Sequence, residues 1–490
     1  MKQMRLVQQL VRRSMPLAVG MAALGVAALA ATPALARAQA FGLNEIGTCA
    51  IARGGATTGA PCLDPSVIYW NPGAATRLPG ISIYAGVAAI GVNGSFTRDF
   101  SGIEDEGDAP VEFPPHLFVN WQYRPDLAFG LGVYVPYGLT SQWKSDFPGR
   151  FLAQKASLQT IYIQPNVAYS FAEGRVSVGG GPVIGYSTVE LRQGIDFSQQ
   201  ELPAGSPVPP GTTFASFGIP PETEFAQAQL KGSTTAFGFN LGVHAQVTET
   251  VQLGARYLSE VRFDYEDADA TFAPVNTGLI LAANNPVFLQ PDGTPVPGGT
   301  PLDAVLAGQF AAGGSLVPQG VNTKINHPAQ LQVGVGYTGL RNTLLSLDYA
   351  WVNWSTFKEL PVEFTGPAAG SNRTLIEDYG DSWAIRGSGE YTFANAWRGR
   401  LGASYARTPV PDVTVTPLLP DMDRYNFTAG VGIPLAGRYV LDLGYWRVET
   451  KGRRGRVVER ETREQTASQL NGGWYALDAN VFALSLKAQF

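Results

Sequence analysis

Apolar and polar positions alternate along most of this chain, from residue 81 to the C-terminus. The last run is typical, because Phe482, Leu484 and Leu486 fall on one face while the Ala, Ser and Lys residues between them fall on the other. Successive side chains of a β-strand point to opposite faces, and a tilted strand of about 9 to 11 residues crosses a bilayer. The pattern therefore predicts membrane-spanning strands with one face in lipid and the other in a lumen.

The second face of these runs is small and weakly polar, with Gly, Ser, Ala, Thr and Asn at many positions. A soluble β-sandwich also alternates, but its exposed face normally carries many Lys and Glu residues. Small polar side chains suit a narrow or filled lumen instead. We therefore expect an all-β chain that forms a transmembrane antiparallel barrel.

Connections of two kinds separate the runs, namely short turns and long loops rich in proline and glycine. Short periplasmic turns, long external loops and an even number of strands are typical of outer-membrane barrels. Fourteen strands are predicted, at 81–96, 115–123, 127–139, 157–171, 175–191, 234–248, 250–265, 327–339, 343–354, 381–393, 397–408, 424–435, 438–449 and 476–490.

Residues 41–80 precede the first strand and lack the alternation. Asp64-Pro65 and Asn71-Pro72 each place an N-cap residue before a proline at the first helical position, which predicts short helices. A compact, kinked segment ahead of a barrel is most simply a plug, or hatch, inside the lumen.

The first 40 residues have the organisation of a secretory signal peptide. A basic start precedes an apolar stretch from Pro16 to Ala31, and Ala38-Gln39-Ala40 is a small-residue cleavage site. We expect cleavage before Phe41. Cleavage before Arg37 is the main alternative, and an uncleaved helical anchor is a further one.

Composition agrees with this organisation. Charged residues make up 15% of the 490 residues, mean hydropathy is −0.01, and the chain has 57 glycines. This mixture suits many strands with one apolar face better than a soluble core with a charged exterior. The chain thus divides into a signal peptide (1–40), a hatch (41–80) and an outer-membrane β-barrel (81–490).

The net charge argues against a nucleic-acid partner. It is −5 at pH 7, and the first 40 residues contain five basic and no acidic residues, so the processed chain carries −5 − 5 = −10. An acidic chain is a poor nucleic-acid binder. No other apolar stretch of about 18 residues occurs, so strands must make any bilayer crossing.

Two cysteines, Cys49 and Cys62, lie shortly after the predicted signal. Disulfides form in the oxidising compartments to which exported chains travel. We expect a disulfide that pins the start of the hatch, and the alternative is a pair of buried free thiols. Neither a metal site nor a cofactor is expected.

Six short motifs run in order along the mature chain. They are Phe41-Gly-Leu-Asn-Glu45, Ser66-Val-Ile-Tyr-Trp-Asn-Pro-Gly73, Val135-Pro-Tyr-Gly-Leu139, His327-Pro-Ala-Gln-Leu331, Trp351-Val-Asn-Trp-Ser355, and Thr408-Pro-Val-Pro-Asp412 followed by Leu419-Pro-Asp-Met-Asp-Arg424. Together they resemble the FadL/TodX family of outer-membrane transporters for long-chain fatty acids and other hydrophobic compounds. The resemblance covers nearly all of the mature chain.

The resemblance implies a fourteen-stranded barrel with a hatch, a hydrophobic groove between two long external loops, an inner pocket, and a lateral wall opening at a kink in the third strand. Here that strand carries Pro136, Tyr137 and Gly138. Proline removes a ladder donor and glycine permits a bend, so strand pairing should break there. The alternative is a strand that simply ends at the rim.

By the same resemblance, Phe41 and Leu43 at the start of the hatch touch the inner pocket, so ligand arrival could shift the hatch. Asn71 and Pro72 match the family's Asn-Pro-Ala, with Gly73 in place of alanine. Two roles are open for this pair, namely direct ligand contact and a helix cap that holds the hatch together.

The two longest predicted loops, roughly 192–233 and 266–326, are low in charge. The second contains an apolar stripe at helical spacing, formed by Leu302, Val305, Leu306 and Phe310. The stripe is either part of the ligand groove that the resemblance implies or a loop packing on itself.

A fatty acid needs a partner for its carboxylate, since burying an unpaired charge is prohibitive. Residues 186–191 of the fifth strand contain no arginine, and Arg192 could be a rim charge. Aromatic and aliphatic hydrocarbons therefore stay open as ligands beside long-chain fatty acids.

Charged loops and the chain end suggest contacts with the membrane and its machinery. The acidic run 104–106 and the basic residues of 451–463 are expected to be solvated loop faces, although the basic set could pair with lipopolysaccharide phosphates. We expect the barrel-assembly machinery to recognise the C-terminal Phe490, and the barrel to be a monomer among outer-membrane lipids.

Two other functions are alternatives. An outer-membrane lipid hydrolase needs a histidine beside a serine nucleophile, but the positions of His116, His244 and His327 suggest no such pair. A general porin-like channel for small polar solutes would not require a plug. We therefore predict a non-enzymatic protein that passively carries hydrophobic small molecules across the bacterial outer membrane.

Overall fold

The computed structural model describes residues 40–490, apart from 100, 197, 199–208, 210, 283–287, 289–293, 436 and 456–470. Nearly all of the predicted signal peptide, residues 1–39, lies outside the described residues. The signal and its cleavage point therefore stay predictions.

The described residues form fourteen antiparallel wall strands, some of them in two segments. They are β1 (Ile81–Arg98), β2 (Pro115–Arg124), β3 (Leu127–Gln142), β4 (Lys155–Phe171), β5 (Val176–Ile195), β6 (Ala226–Gln246), β7 (Val251–Leu258 and Val261–Pro274), β8 (Gln319–His327 and Gln330–Leu340), β9 (Thr343–Val352 and Glu359–Phe364), β10 (Arg373–Ile376 and Ser382–Thr392), β11 (Arg398–Ala406), β12 (Arg424–Pro434), β13 (Tyr439–Thr450) and β14 (Gly473–Gln489). Two short strands, Glu104–Glu106 and Arg453–Arg454, add pairing to β1 and β14.

The wall closes because β14 pairs with β1 along nearly its whole length. The side chains of β14 alternate as the sequence pattern predicts. Phe482 and Leu484 are 62% and 47% exposed on the outer face, whereas Ala483 between them is 6% exposed. The predicted all-β barrel of fourteen strands is thereby confirmed.

The outer parts of three strands lie beyond the predicted limits. Residues 226–233, 266–274 and 319–326, predicted as loop, belong to β6, β7 and β8. Two of these strands are interrupted at the inner end of the added part. The break in β7 lies between Leu258 and Val261, and the break in β8 lies at Pro328, which has no N–H to donate. On the periplasmic side of each break the buried positions have even numbers, and on the external side, at 261–265 and 321–327, they have odd numbers, so the alternation changes phase there. The two long external loops are therefore shorter than predicted.

The hatch folds as three short helical segments. These are α1 (Thr48–Ala52), α2 (Val67–Trp70) and a 3₁₀ turn (Pro72–Arg77), and every residue of α1 and α2 is buried. The loops and strand breaks contain α3 (Leu302–Leu306) and 3₁₀ turns at Pro148–Phe151, Phe214–Phe217, Ala307–Phe310, Trp354–Thr356 and Pro367–Ser371. No helix among the described residues is long and apolar enough to cross a membrane.

Hydrogen bonds from different sides of the wall hold the hatch in the lumen. The Asp348 carboxylate of β9 accepts the N–H groups of Thr58 at 2.6 Å and Gly59 at 3.4 Å. The Ser485 hydroxyl of β14 lies 2.6 Å from the Thr48 hydroxyl of α1. The segment predicted as a plug is therefore inside the barrel.

The side chain of Asn71 ties two parts of the protein together. It precedes the 3₁₀ turn, but its side chain makes no capping bond. Its amide donates to the carbonyls of Thr58 at 2.9 Å and Val243 at 3.0 Å. Asn71 thus stands at the N-cap position before a proline, as the sequence predicts, while its side-chain amide joins the hatch to β6 and does not cap the turn.

The two charge runs, expected as solvated loop faces, are partly paired. The Asp105 carboxylate lies 2.6 Å from the Arg98 guanidinium, and Asp412 lies 2.6 Å from Arg453. The rest of the basic run, from residue 456 onward, lies outside the described residues.

Cys49 and Cys62 are joined by a disulfide that closes the turn around Gly54 and Gly55. Both glycines have positive φ, 58° and 74°, a conformation that other residues rarely adopt. The disulfide and the two glycines together shape the part of the hatch that follows α1.

Replacing both cysteines by serine should loosen the hatch without unfolding the wall. Cross-linking a loop of about 15 residues removes about 3 kcal/mol of chain entropy from the open state. We expect the amides of α1 to exchange with deuterium roughly 100-fold faster in the double variant, while those of β14 keep their protection. Unchanged exchange in α1 would show that the disulfide does not stabilise the hatch.

Candidate functional site

The site begins at a bulge in β3 around Pro136. On the periplasmic side, Tyr134 lies opposite Tyr162 of β4. On the external side, Tyr137 lies opposite Thr160, so β3 contains one residue more than β4 between the two pairs. A β-bulge bends its strand, and this one lies where the sequence placed the kink.

The start of the hatch binds to β3 at this bulge. Leu43 N–H donates to the Pro136 carbonyl at 2.9 Å, and Gly138 N–H donates to the Phe41 carbonyl at 3.0 Å. The hatch start thus acts as a short extra strand, and it satisfies backbone groups of β3 that would otherwise be buried without partners. The motif that begins at Phe41 and the motif around Pro136, which are far apart in the sequence, are therefore in direct contact.

Gly138→Ala should weaken this contact. A Cβ at Gly138 would lie 3.0 Å from Leu43 Cδ1, which is tighter than ordinary packing. Overpacking of this kind costs about 1 to 3 kcal/mol, so we expect faster deuterium exchange in residues 41–47, measured by mass spectrometry. Gly94→Ala is the matched control, because no atom lies within 4 Å of a Cβ at that position. Equal exchange in the two variants would contradict the prediction.

The wall has a gap between the outer halves of β1 and β3, because β2 is too short to fill it. The outermost pairs of β2 are Pro115 with Val87 of β1 and Leu117 with Val133 of β3. Beyond these pairs, neither β1 nor β3 has β2 as a neighbour.

Residues 107–114, here called the strap, cover the gap. The strap bonds to β1 through Glu112 and Ile90, whose backbones exchange hydrogen bonds of 2.8 and 3.0 Å. On the other side, the Thr140 hydroxyl of β3 donates to the Glu112 carboxylate at 2.8 Å. A few bonds therefore replace the continuous ladder found elsewhere in the wall.

A cavity of about 370 Å³ lies at the gap. Leu43 of the hatch, Leu139 and Leu158 line its inner side, and Ile161 and Tyr186 line its outer side. Leu158 faces the lumen and is 4% exposed, whereas Ile161 of the same strand faces outward and is 41% exposed. The cavity thus connects the start of the hatch with the outer face of the wall.

The polar end of the cavity carries little free positive charge. Arg424 is the one basic residue among those that line it, and its guanidinium binds Asp421 and the Ala40 carbonyl, each at 3.0 Å. Glu45 also lines this end, and burial raises its pKa, although Arg424 opposes that shift. Neutral ligands are therefore favoured here over carboxylates.

Phe41 occupies a cage of aromatic rings beside the cavity. Its ring centroid lies 4.6 Å from Trp354, 5.6 Å from Phe357, 5.8 Å from His327 and 6.1 Å from Tyr137. Aromatic pairs at such separations attract each other by about 0.5 to 1.5 kcal/mol each. The cage therefore anchors the first residue of the hatch motif.

The sequence analysis did not assign three of the cage residues. Trp354 was quoted only as part of a family motif, His327 was considered only in that way and as a hydrolase histidine, and Phe357 was not singled out. Their common signal is proximity to breaks in β8 and β9, where ladder bonds are lost and side chains turn inward. That signal becomes visible only when the strand breaks are known.

The apolar stripe of the second long loop packs against the first. Leu302 is fully buried, and Val305, Leu306 and Phe310 are half-buried around it. The cluster also contains Ile219 and Phe225 of the other loop, together with further apolar residues. These side chains fill the space between the two loops.

A serine and a histidine meet in the lumen, which the sequence analysis did not expect. His116 Nε2 lies 2.9 Å from Ser485 Oγ, and both side chains are buried. The Nδ1 atom of His116 has no hydrogen-bond partner among the described residues, so no acid orients the ring. Thr48 of the hatch covers the serine, and a hydrolytic triad is therefore not assembled.

Comparison with known proteins agrees with the barrel and hatch. A profile of the family described as outer membrane protein transport protein (OMPP1/FadL/TodX) matches residues 27–490. A long-chain fatty acid transport protein of Shigella flexneri is 24% identical over 434 residues, which are 85% of this chain and 90% of that protein.

Solved structures share the fold. A crystal structure of a Pseudomonas aeruginosa FadL homologue matches with a TM-score of 0.73 at 20% identity, over 92% of this chain and all of the other. The toluene transporter TodX of Pseudomonas putida matches with a TM-score of 0.64 at 16% identity, over 92% of this chain and 99% of the other. Because the family profile spans almost the whole sequence, the chain is an outer-membrane β-barrel that belongs to the OMPP1/FadL/TodX family of outer membrane transport proteins.

Proposed function

We propose that this protein carries hydrophobic small molecules passively across the outer membrane and releases them sideways into the bilayer. The observation that carries the proposal is the cavity at the gap, which has lumen-facing and outward-facing residues of one strand in its lining. The relatives' names point the same way, since one is named for long-chain fatty acids and another for toluene.

Capture begins at the apolar cluster between the two long external loops. A hydrophobic solute gains about 0.8 kcal/mol for each CH₂ group that it removes from water, so capture needs no energy source. Half-buried side chains such as Val305 and Phe310 can rearrange to admit such a solute. The next apolar site inward is the cavity beside Leu43 and Leu139.

Release goes through the gap and not along the barrel axis. The hatch fills the axis with buried side chains, including Trp70 and Arg53. Passage along the axis would require ejection of the hatch, whereas the strap is held by few bonds. A hydrocarbon that leaves through the gap passes from an apolar cavity to lipid without entering water.

Phe41 couples the ligand to the hatch. Its ring fills an aromatic cage, and its carbonyl binds the strand that borders the gap. A ligand that enters the cavity competes with Leu43 for space. Displacement of Leu43 in turn pulls on the backbone of residues 41–43, which is hydrogen-bonded to β3. The start of the hatch is therefore the part that moves when ligand arrives.

Equilibrium binding to the purified protein tests the proposal, with radiolabelled toluene, hexadecane and oleate as probes and glucose as a polar control. We expect saturable binding of at least one hydrophobic probe and none of glucose. If none of the three probes binds, or if glucose binds equally well, the alternative of a general channel for polar solutes takes its place.

A further inference from the structure

The strap places a carboxylate at the mouth of the gap. On the outer face of the wall, a polar groove of about 710 Å³ lies along the external parts of β4 to β7. The groove meets the cavity at the gap, because six residues line both of them, namely Pro110, Glu112, Thr140, Gln159, Tyr186 and Thr188. Glu112 is the one charged residue among these six. A ligand that leaves the cavity through the gap therefore passes the Glu112 carboxylate.

No cation neutralises Glu112. Its carboxylate accepts from the Thr140 hydroxyl at 2.8 Å, and that partner is neutral. No ion pair to Glu112 occurs in the part of the chain that the structure describes. Arg424, the basic residue of the cavity, is already bound by Asp421 at 3.0 Å. The half-buried carboxylate of Glu112 thus keeps its negative charge at the exit.

The groove outside the gap is acidic as well. Its charged residues are two lysines and five acids, a net charge of 2 − 5 = −3, namely Lys155, Lys231, Glu112, Glu190, Glu266, Asp267 and Asp269. Both lysines lie beside carboxylates. Lys155 is 2.9 Å from Glu190, and Lys231 lies opposite Asp269 in the pairing of β6 with β7. A ligand that passes Glu112 therefore meets no free cation in the groove.

We propose that Glu112 is a charge filter at the gap, which opposes hydrophobic molecules with an anionic head and admits uncharged ones. Burial of an apolar tail stabilises both kinds of molecule equally, so the tail cannot distinguish them. A negative head beside Glu112 is repelled, since like charges at a partly desolvated contact interact strongly. This inference rests on the proposed function and narrows its ligand class to uncharged compounds.

Three probes that share a sixteen-carbon tail test the filter. Hexadecanol is neutral, whereas hexadecyl sulfate and hexadecyltrimethylammonium carry permanent charges of opposite sign. The measurement is equilibrium binding of each radiolabelled probe to the purified protein in a non-ionic detergent. Each variant is compared with the parent protein for the same probe, so the partition of that probe into detergent micelles cancels.

Glu112→Gln removes the charge but keeps an oxygen that accepts from Thr140, so the strap stays in place. We expect this variant to bind hexadecyl sulfate about tenfold more tightly and hexadecyltrimethylammonium about tenfold more weakly than the parent does. Binding of hexadecanol should not change. An increase of salt from about 0.05 to about 0.5 M should reduce both differences, because salt screens charges that are partly exposed.

Two control variants separate charge from structure and from net charge. Thr140→Val removes the hydrogen bond to Glu112 but keeps the carboxylate, so it should change the three affinities by a common factor. Glu363→Gln removes an exposed acid of β9 that lines neither the cavity nor the groove, and it should keep the affinities of the parent.

The filter is overturned if Glu112→Gln leaves binding of hexadecyl sulfate unchanged, or if it changes binding of all three probes by the same factor. Equal effects of Glu112→Gln and Glu363→Gln also overturn it, because net charge would then explain them. If the parent does not bind hexadecanol, the proposed function itself fails. If it binds hexadecanol and the charged probes do not respond to Glu112→Gln, only the filter fails.

Discussion

A chain that lacks residues 41–80 will conduct ions through a planar bilayer, whereas the complete protein will not. The hatch fills the lumen, and its removal leaves polar wall residues such as Asn240, Asp348 and Arg386 around an empty space. Water enters a wide polar lumen, as it does in large barrels. We expect each insertion of the shortened chain to add a steady step of current, and the complete protein to stay silent.

Asp348→Ala provides a milder variant of the same test. It removes the carboxylate that accepts from Thr58 and Gly59, but keeps the hatch covalently in place. Brief openings should then replace the steady current. Silent bilayers from a shortened chain that is folded, as judged by its β-rich circular dichroism and its heat-dependent mobility in gels, would mean that the hatch does not seal the barrel.

Locking the strap to β3 should abolish uptake of hydrophobic compounds. The Thr140 hydroxyl and the Glu112 carboxylate are joined by a hydrogen bond across the gap, so cysteines at both positions lie within reach of a short bis-methanethiosulfonate cross-linker, which binds each thiol through a reducible disulfide. Backbone bonds already hold the strap on β1. With the cross-linker attached, cells that carry the variant should take up labelled toluene or oleate no faster than cells without the protein, and a reductant should restore uptake.

The matched control is a cross-link in a closed part of the wall. Val335 of β8 lies opposite Leu347 of β9, and both side chains face outward. Cysteines at these positions should cross-link without any effect on uptake. Uptake that continues in a variant fully cross-linked between positions 112 and 140 would exclude release at the gap and favour a path along the barrel axis.

The wall strands were predictable because a bilayer imposes the same requirement on each of them. A residue that faces lipid must be apolar, and the next residue must suit the lumen. The same alternation therefore recurs in strand after strand. The pattern failed at the outer ends of β7 and β8, where the strands break and the inward positions change phase. Local alternation carries no information across such a break.

Parts of the site were predictable for a different reason. Proline restricts the backbone and lacks an N–H, and glycine permits a bend, whatever their neighbours are, so Pro136 and Gly138 indicated a disturbed strand before the structure was known. The partner of that disturbance, the start of the hatch, was expected near the pocket only from family resemblance. No local rule states that Leu43 will donate to the Pro136 carbonyl.

Charge and hydrogen bonding inside the barrel were not predictable. The sequence shows Arg400 as one arginine among many, and shows His116 and Ser485 at opposite ends of the barrel domain. Whether an arginine finds a carboxylate, as Arg400 does, depends on which strands become neighbours when the wall closes.

The sequence by itself determined the class of this protein, namely an exported chain of alternating strands behind a short segment that cannot join the wall. Those properties are local or periodic, and water and lipid act on each strand in the same way. Tertiary structure alone decided where the wall is incomplete, what covers it, and which buried groups lack a partner. These depend on the lengths of neighbouring strands and on contacts between residues hundreds of positions apart, which no short stretch of sequence contains.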